Sequence, residues 1–169
     1  LLLLPDFRML VVCPAMQSIT RMLPPYLDEA ILQNPSRRKF PPFDPARLLS
    51  TVFEPTQGCR VCILTDFQEP QELIRNFAFL EQEGFEVQKN AHKYFYETLH
   101  AGVMDQLGMT GGEMFAYRCT KGSNLDLDDE VWNTKGEELS LDRDIYANYD
   151  LILCVSTYSA TAPLTAKCK

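Results

Sequence analysis

Histidine is nearly missing from this sequence. The 169 residues include two, His92 and His100, and one tryptophan. Metal-binding helices favour H-x₃-H or H-E-x-x-H, which set two imidazoles on one face. His92 and His100 lie eight apart and on different predicted elements, so a complete catalytic metal site within the chain is not expected. Glycine is sparse too, with eight residues. None of them builds G-x-G-x-x-G or G-x₄-G-K-[ST], the loops that let backbone amides cradle phosphates. The G-x-S-x-G nucleophile elbow is also missing. Positive charge is in deficit: 16 basic against 23 acidic residues give a net charge of −7. Nucleic-acid binding needs a basic footprint, so nucleic acid is not an expected partner. No apolar run approaches the roughly 18–20 residues that span a bilayer. Leucines 1–4 are followed at once by Pro5 and Asp6, too short a stretch for a signal core, so no membrane partner is expected either.

What is present fits one domain, or one plus a tail. Ten of the 11 prolines lie in the first 70 residues. Proline removes a backbone donor and breaks helix interiors. Residues 1–43 therefore read as a Pro-rich N-terminal extension of short helical and extended pieces, with a helical stretch at 26–33 and a basic loop at 34–42. Residues 44–169 read as an α/β domain. Up to residue 64 there are 7 basic and 5 acidic groups; beyond it there are 9 and 18. The sequence opens on Leu1, and residues 162–169 read as the opening of a helix. The expectation is a piece of a longer protein, truncated at its C-terminal end.

From residue 44 the signals sharpen. Asp44-Pro45 is a helix start, with a capping acceptor and a proline at the first helical position. A short helix follows over 46–53. The compact apolar run at 59–64 predicts a central strand. Glu69-Pro70 opens a helix that Gly84 closes, with Leu73, Ile74, Phe77 and Leu80 at helical spacing. Residues 85–90 then read as a strand, completing a parallel βαβ unit. Further expectations are a helix at 97–107, a strand at 113–119 that could lie at an edge, a long acidic loop at 120–140, and a short helix at 142–149. A second buried strand at 150–156 leads through a turn into a helix near Pro163. The fold expected is a three-layer, Rossmann-like, mostly parallel sheet with helices on both faces.

In such sheets ligands gather outside the carboxyl ends of the strands. That directs attention to the loops at 65–69 and 156–161. Asp66 follows the first buried strand. Ser156, Thr157, Ser159 and Thr161 follow the second. Hydroxyls beside the free amides of a helix start could hold an anionic group, and the same residue types also cap helices. The pair Cys59 and Cys62 sits inside a strand-like run, where residues three apart face opposite sides. Its six cysteines read as small buried hydrophobes of a reducing compartment, which implies the cytoplasm. The acidic stretch at 126–130 lacks the spacing of a calcium loop and reads as a solvated loop or a cap cluster.

Four segments, in order, carry a resemblance: FDPARLL at 43–49, GCRVCILTDF at 58–67, FAYRCTKGSNLDLDD at 115–129 and DLILCVSTYSATAPLTA at 150–166. Together they resemble the N-terminal α/β domain of the aminopeptidase T-like (leucyl aminopeptidase type) metallo-aminopeptidases. The resemblance implies a cytoplasmic two-metal exopeptidase. In it a metal-bound water attacks the first peptide bond, and the divalent ions stabilise the attacking and leaving oxygens. The ligands of those ions belong to a C-terminal catalytic domain, and none maps onto this chain. The chain would then be a non-catalytic domain without a cofactor of its own. Its partner would be the remainder of the same polypeptide, or a second copy in a homodimer. The alternative is a Rossmann-like module that binds an anionic small molecule at Asp66 and the 156–161 loop, or a scaffold domain without a ligand.

Overall fold

The computed structural model describes residues 8–12 and 42–167. The helical stretch expected at 26–33, and all but the last residue of the basic loop expected at 34–42, lie outside them. The described chain is α/β. Six strands form one mixed sheet in the order β1-β6-β2-β3-β4-β5: β1 (Arg8–Val12), β2 (Arg60–Phe67), β3 (Thr110–Arg118), β4 (Glu130–Asn133), β5 (Glu138–Ser140) and β6 (Leu151–Val155). The pairings of β1 with β6, β6 with β2, and β2 with β3 are parallel; β3 with β4 and β4 with β5 are antiparallel.

Strands β2 and β6 form the centre because their sequences are apolar on both faces. Every residue of β6 is buried, as is all of β2 after Arg60. Alternation along β2 sends Val61, Ile63 and Phe67 into one core and Cys62 and Leu64 into the other. The first core takes Leu49 and Phe53 from α1 (Pro45–Phe53), Leu73 and Ile74 from α2 (Pro70–Ile74), and Ala91 from α3 (Glu86–Ala91). The second takes Leu141 and Ile145 from a wide helical turn (Leu141–Tyr146) and Leu164 from α5 (Thr161–Lys167). Cys59 and Cys62 fall on opposite cores, as their spacing requires.

Three expectations change. The helix expected from 70 to 84 stops after Ile74. Asn76 and Phe77 are both left-handed, and the chain continues as a tight turn over Arg75–Glu81. The break is tertiary in origin: the Asn76 amide donates to the Thr134 carbonyl at 2.8 Å, across to the β4–β5 hairpin. Residues 85–90 form a helix, not a strand. Buried Gln88, Ala91, His92, Phe95 and Leu99 recur at three- and four-residue spacing, a helical period. Helical structure then runs on through the wide turns His92–Tyr96 and Leu99–Val103 to α4 (Met104–Leu107), and bends at Gly102, whose φ is 125°. The loop expected over 120–140 contains β4 and β5. Their turn is built by Asn133, whose Oδ1 accepts from the amides of Lys135 and Glu137 at 2.9 and 3.0 Å. Strand β3 is consequently internal rather than an edge.

The acidic stretch works as caps. Ser140 Oγ accepts from the Arg143 amide at 3.0 Å and donates to Asp129 Oδ1 at 3.0 Å, while Asp144 Oδ2 accepts from the Ser140 amide at 2.7 Å. Bonds to the Asp142 amide and the Ser140 hydroxyl hold the Asp129 carboxyl below the usual carboxylate range. Ser140 thus ties β5 to the turn that feeds the second core. Replacing Ser140 with Ala should lower the unfolding free energy by about 1–2 kcal/mol, the usual cost of a lost cap. The shift in urea midpoint at unchanged slope measures it, and no shift would refute the capping role.

Candidate functional site

The chain leaves β2 and β6 in opposite directions. After β2 it enters α2 on the first core; after β6 it enters α5 on the second. The two strands are neighbours up to the pair Leu64 and Cys154. Their divergent exits open a crevice beyond their carboxyl ends, the place where open α/β sheets bind ligands.

Asp66 stands in that crevice and is 1% exposed. Its Oδ1 accepts from the Thr157 amide at 2.7 Å and from Gln88 Nε2 at 3.0 Å. Gln88 Nε2 also reaches the Asp66 carbonyl at 2.8 Å and Thr157 Oγ1 at 2.9 Å. One amide group from α3 therefore locks the ends of β2 and β6 together. A second clamp lies one residue deeper, where Thr65 Oγ1 donates to the Val155 carbonyl at 2.8 Å. The other carboxylate oxygen, Asp66 Oδ2, is buried without a hydrogen-bond partner. The thiol of Cys119 hydrogen-bonds to the Asp66 carboxyl group, and a thiol is only a weak donor. A buried polar atom left unmet costs about 1–3 kcal/mol, and more when it is charged.

A cleft of about 310 Å³ surrounds this carboxylate. Asp66, Gln88, Thr157 and Cys119 line it together with Phe67, Phe85, Val87, Tyr158, Gln68 and Glu86. Burial pushes the Cys119 thiol up, and the Asp66 carboxylate adds to the rise. Burial also pushes Cys154 up to about 12 and raises Cys62. These three thiols stay protonated at neutral pH and lack the lowered pKa of a nucleophile.

Of the residues singled out in the sequence, Asp66 and Thr157 meet directly. Ser156 is buried behind them, its hydroxyl donating to the Tyr158 carbonyl at 2.7 Å. Ser159 and Thr161 face another neighbour. Their hydroxyls lie 2.9 Å apart, Ser159 Oγ donates to Asn124 Oδ1 at 3.3 Å, and Asn124 Oδ1 accepts from the Ala162 amide at 3.1 Å. That cluster caps the first turn of α5 and lies outside the cleft lining. Gln88 and Phe85 escaped sequence reasoning because residues 85–90 read as a strand. The signal that would have found Gln88 is its place in the helical period with Ala91, Phe95 and Leu99.

His92 and His100 belong to a ladder of rings. His92 stacks on Tyr96 at 5.0 Å and meets Phe77 at 4.7 Å; Tyr96 meets His100 at 4.4 Å. Burial lowers the His92 pKa, and Glu97, 3.3 Å away, partly restores it. Among the described residues no group of three or more His, Cys, Asp and Glu side chains is placed to hold a metal ion. No family model, no curated protein and no solved structure matches the chain.

The lock makes a direct prediction. Gln88→Leu removes the donor to two buried acceptors of Asp66 and should cost about 1–3 kcal/mol of stability. Gln88→Glu should cost more, because it sets a second carboxylate against the first. Chemical denaturation of both variants tests this; equal and negligible losses would rule the lock out.

Proposed function

We propose that this α/β unit is a ligand-holding module whose site is the crevice at the carboxyl ends of β2 and β6. One observation carries the reading: a buried aspartate among the residues that line a cleft, with one oxygen that no strong donor meets. A group that only stiffened the fold would have both oxygens satisfied, because an unmet buried acceptor is a net cost. The crevice lies where the chain exits to opposite faces, as in a Rossmann-like, three-layer arrangement, and this supports the same reading. The chemistry on offer is recognition. The lining has an acceptor, apolar walls and amides, and its thiol is protonated. The thiols of Cys62, Cys119 and Cys154 suit a reducing compartment such as the cytoplasm. No helix among the described residues is long and apolar enough to cross a membrane.

Titrating the labelled protein with a panel of small metabolites should move the amide signal of Thr157, the side-chain amide of Gln88 and the amide of Cys119. Shifts confined to other parts of the molecule, or none at the crevice, would overturn this reading.

A second reading has its own support. The four segments that resemble the aminopeptidase T-like domain fall, in order, on α1, on β2, on β3 with the following loop, and on β6 with α5. On this reading the chain is the non-catalytic N-terminal α/β domain of a metallo-aminopeptidase-like enzyme. The divalent metals and their ligands belong to the remainder of the polypeptide, which is also its partner, with a homodimer as the alternative. The parent polypeptide should then release N-terminal residues from peptides and lose that activity to a chelator, while the 169-residue chain alone releases none. Metal-dependent peptidase activity in the 169-residue chain would refute the assignment.

A further inference from the structure

The crevice also carries information on what it binds, and the step taken here rests on its being a ligand site. Two carboxylates line it, Asp66 and Glu86, and among the described lining residues there is no lysine, arginine or histidine. Of the nearby cations, the exposed Lys121 lies outside the lining and acts on the Cys119 thiol, and two others are engaged. The Arg118 guanidinium donates to the Gln68 carbonyl at 3.3 Å and lies over the Trp132 ring at 5.8 Å. Lys89 Nζ binds the Gln82 carbonyl. The remaining wall is apolar or aromatic. Phe85 packs edge-on against Phe67 with ring centroids 5.5 Å apart, Val87 is half-buried, and Tyr158 leaves 37% of its surface in solvent.

We infer that the crevice takes a small organic cation: a protonated amine on an apolar or aromatic body, its ammonium group donating to Asp66 Oδ2. Each part of such a ligand has a counterpart. The ammonium supplies a stronger donor to the carboxyl group than the Cys119 thiol, and a charge-assisted bond is the strong kind. Glu86 at the exposed rim adds attraction without burial. Phe85 and Tyr158 are aromatic lining residues, and an aromatic ring can meet a cation as well as an apolar body. An anion would meet two carboxylates in the lining and only the exposed Lys121 outside it. The Asp66 amide partners cannot serve it, since the Thr157 amide and the Gln88 side chain are already spent on Oδ1.

Three shape-matched probes test this by calorimetry and amide shifts: 2-phenylethylammonium, 2-phenylethanol and phenylacetate. The ammonium should bind most tightly, with shifts at Thr157 and at the Gln88 side chain. Asp66→Asn should weaken it by about tenfold or more, the loss expected of a charge-assisted bond. The exposed rim variant Glu86→Gln should weaken it by roughly twofold, as a screened surface charge does. It keeps the test alive should Asp66→Asn fail to fold. Phenylacetate binding at the crevice as tightly as the ammonium, or ammonium affinity untouched by both variants, would overturn the cation assignment and leave the crevice as a ligand site. Failure of all three probes to move any crevice signal would overturn both.

Discussion

The structure depends on the parallel pairing of β2 with β6. Each strand is apolar on both faces, so neither can lie at an edge without exposing a row of Ile, Leu and Val to water. Pairing them buries both and creates two cores at once, one on each side. The helical segments that follow must then divide between the faces. That division sends the chain away from the two strand ends in opposite directions, and the ladder between β2 and β6 stops at Leu64 and Cys154 while their outer partners β3 and β1 continue. Asp66, Thr65 and Gln88 take over where the ladder stops. The crevice is therefore a consequence of the central pairing, and Gln88 is the piece that keeps it from splaying.

Two adjacent residues of the first-core layer are locally strained. Asn76 and Phe77 both hold left-handed backbone, at φ of 48° and 56°. Asparagine tolerates that region, whereas for phenylalanine it costs about 1–2 kcal/mol. The ring of Phe77 recovers contact by packing against His92 and Tyr96 at 4.7 and 4.8 Å, and aromatic pairs of this kind contribute about 0.5–1.5 kcal/mol each. The break also frees the Asn76 amide to bind Thr134, which anchors the β4–β5 hairpin to the helical layer. Extending α2 as a regular helix would remove that amide from Thr134 and turn Phe77 away from the ring ladder.

How far the fold can be read in the sequence follows from what each segment depends on. The runs at 59–64 and 151–155 declare themselves because a strand buried on both faces is apolar throughout. Asp44-Pro45 declares α1 because capping is local chemistry. Residues 85–90 do not, since six residues cannot separate period 2 from period 3.6; only Ala91, Phe95 and Leu99 downstream decide it. The break at Asn76 has no local mark at all, because its cause lies 58 positions away at Thr134. Strands β4 and β5 are four and three residues long and owe their existence to pairing, β4 with β3 and β5 with β4. The site divides in the same way. Asp66 and Thr157 could be placed from the rule that ligands gather at strand ends, while Gln88 required knowing that its segment is helical. Ser159 and Thr161 have the right chemistry for a site, but the structure spends it on capping α5 with Asn124.

The unmet oxygen of Asp66 remains the most informative atom in the molecule. A carboxylate at this position is not needed to clamp β2 to β6: an asparagine could accept from Thr157 and Gln88 through its carbonyl oxygen just as well. What the aspartate adds is a second acceptor and a negative charge, both in a place where they weaken the fold unless something meets them. Buried acceptors of this kind are rare because folding alone works against them. The cleft supplies the reason that the fold does not. Its lining joins the buried Asp66 to apolar and aromatic walls, and the exposed Glu86 has the same sign of charge. A cavity with those three properties discriminates by charge before it discriminates by shape. Its selectivity would come from the desolvated carboxylate rather than from the exposed Glu86, since solvent screens the second and not the first.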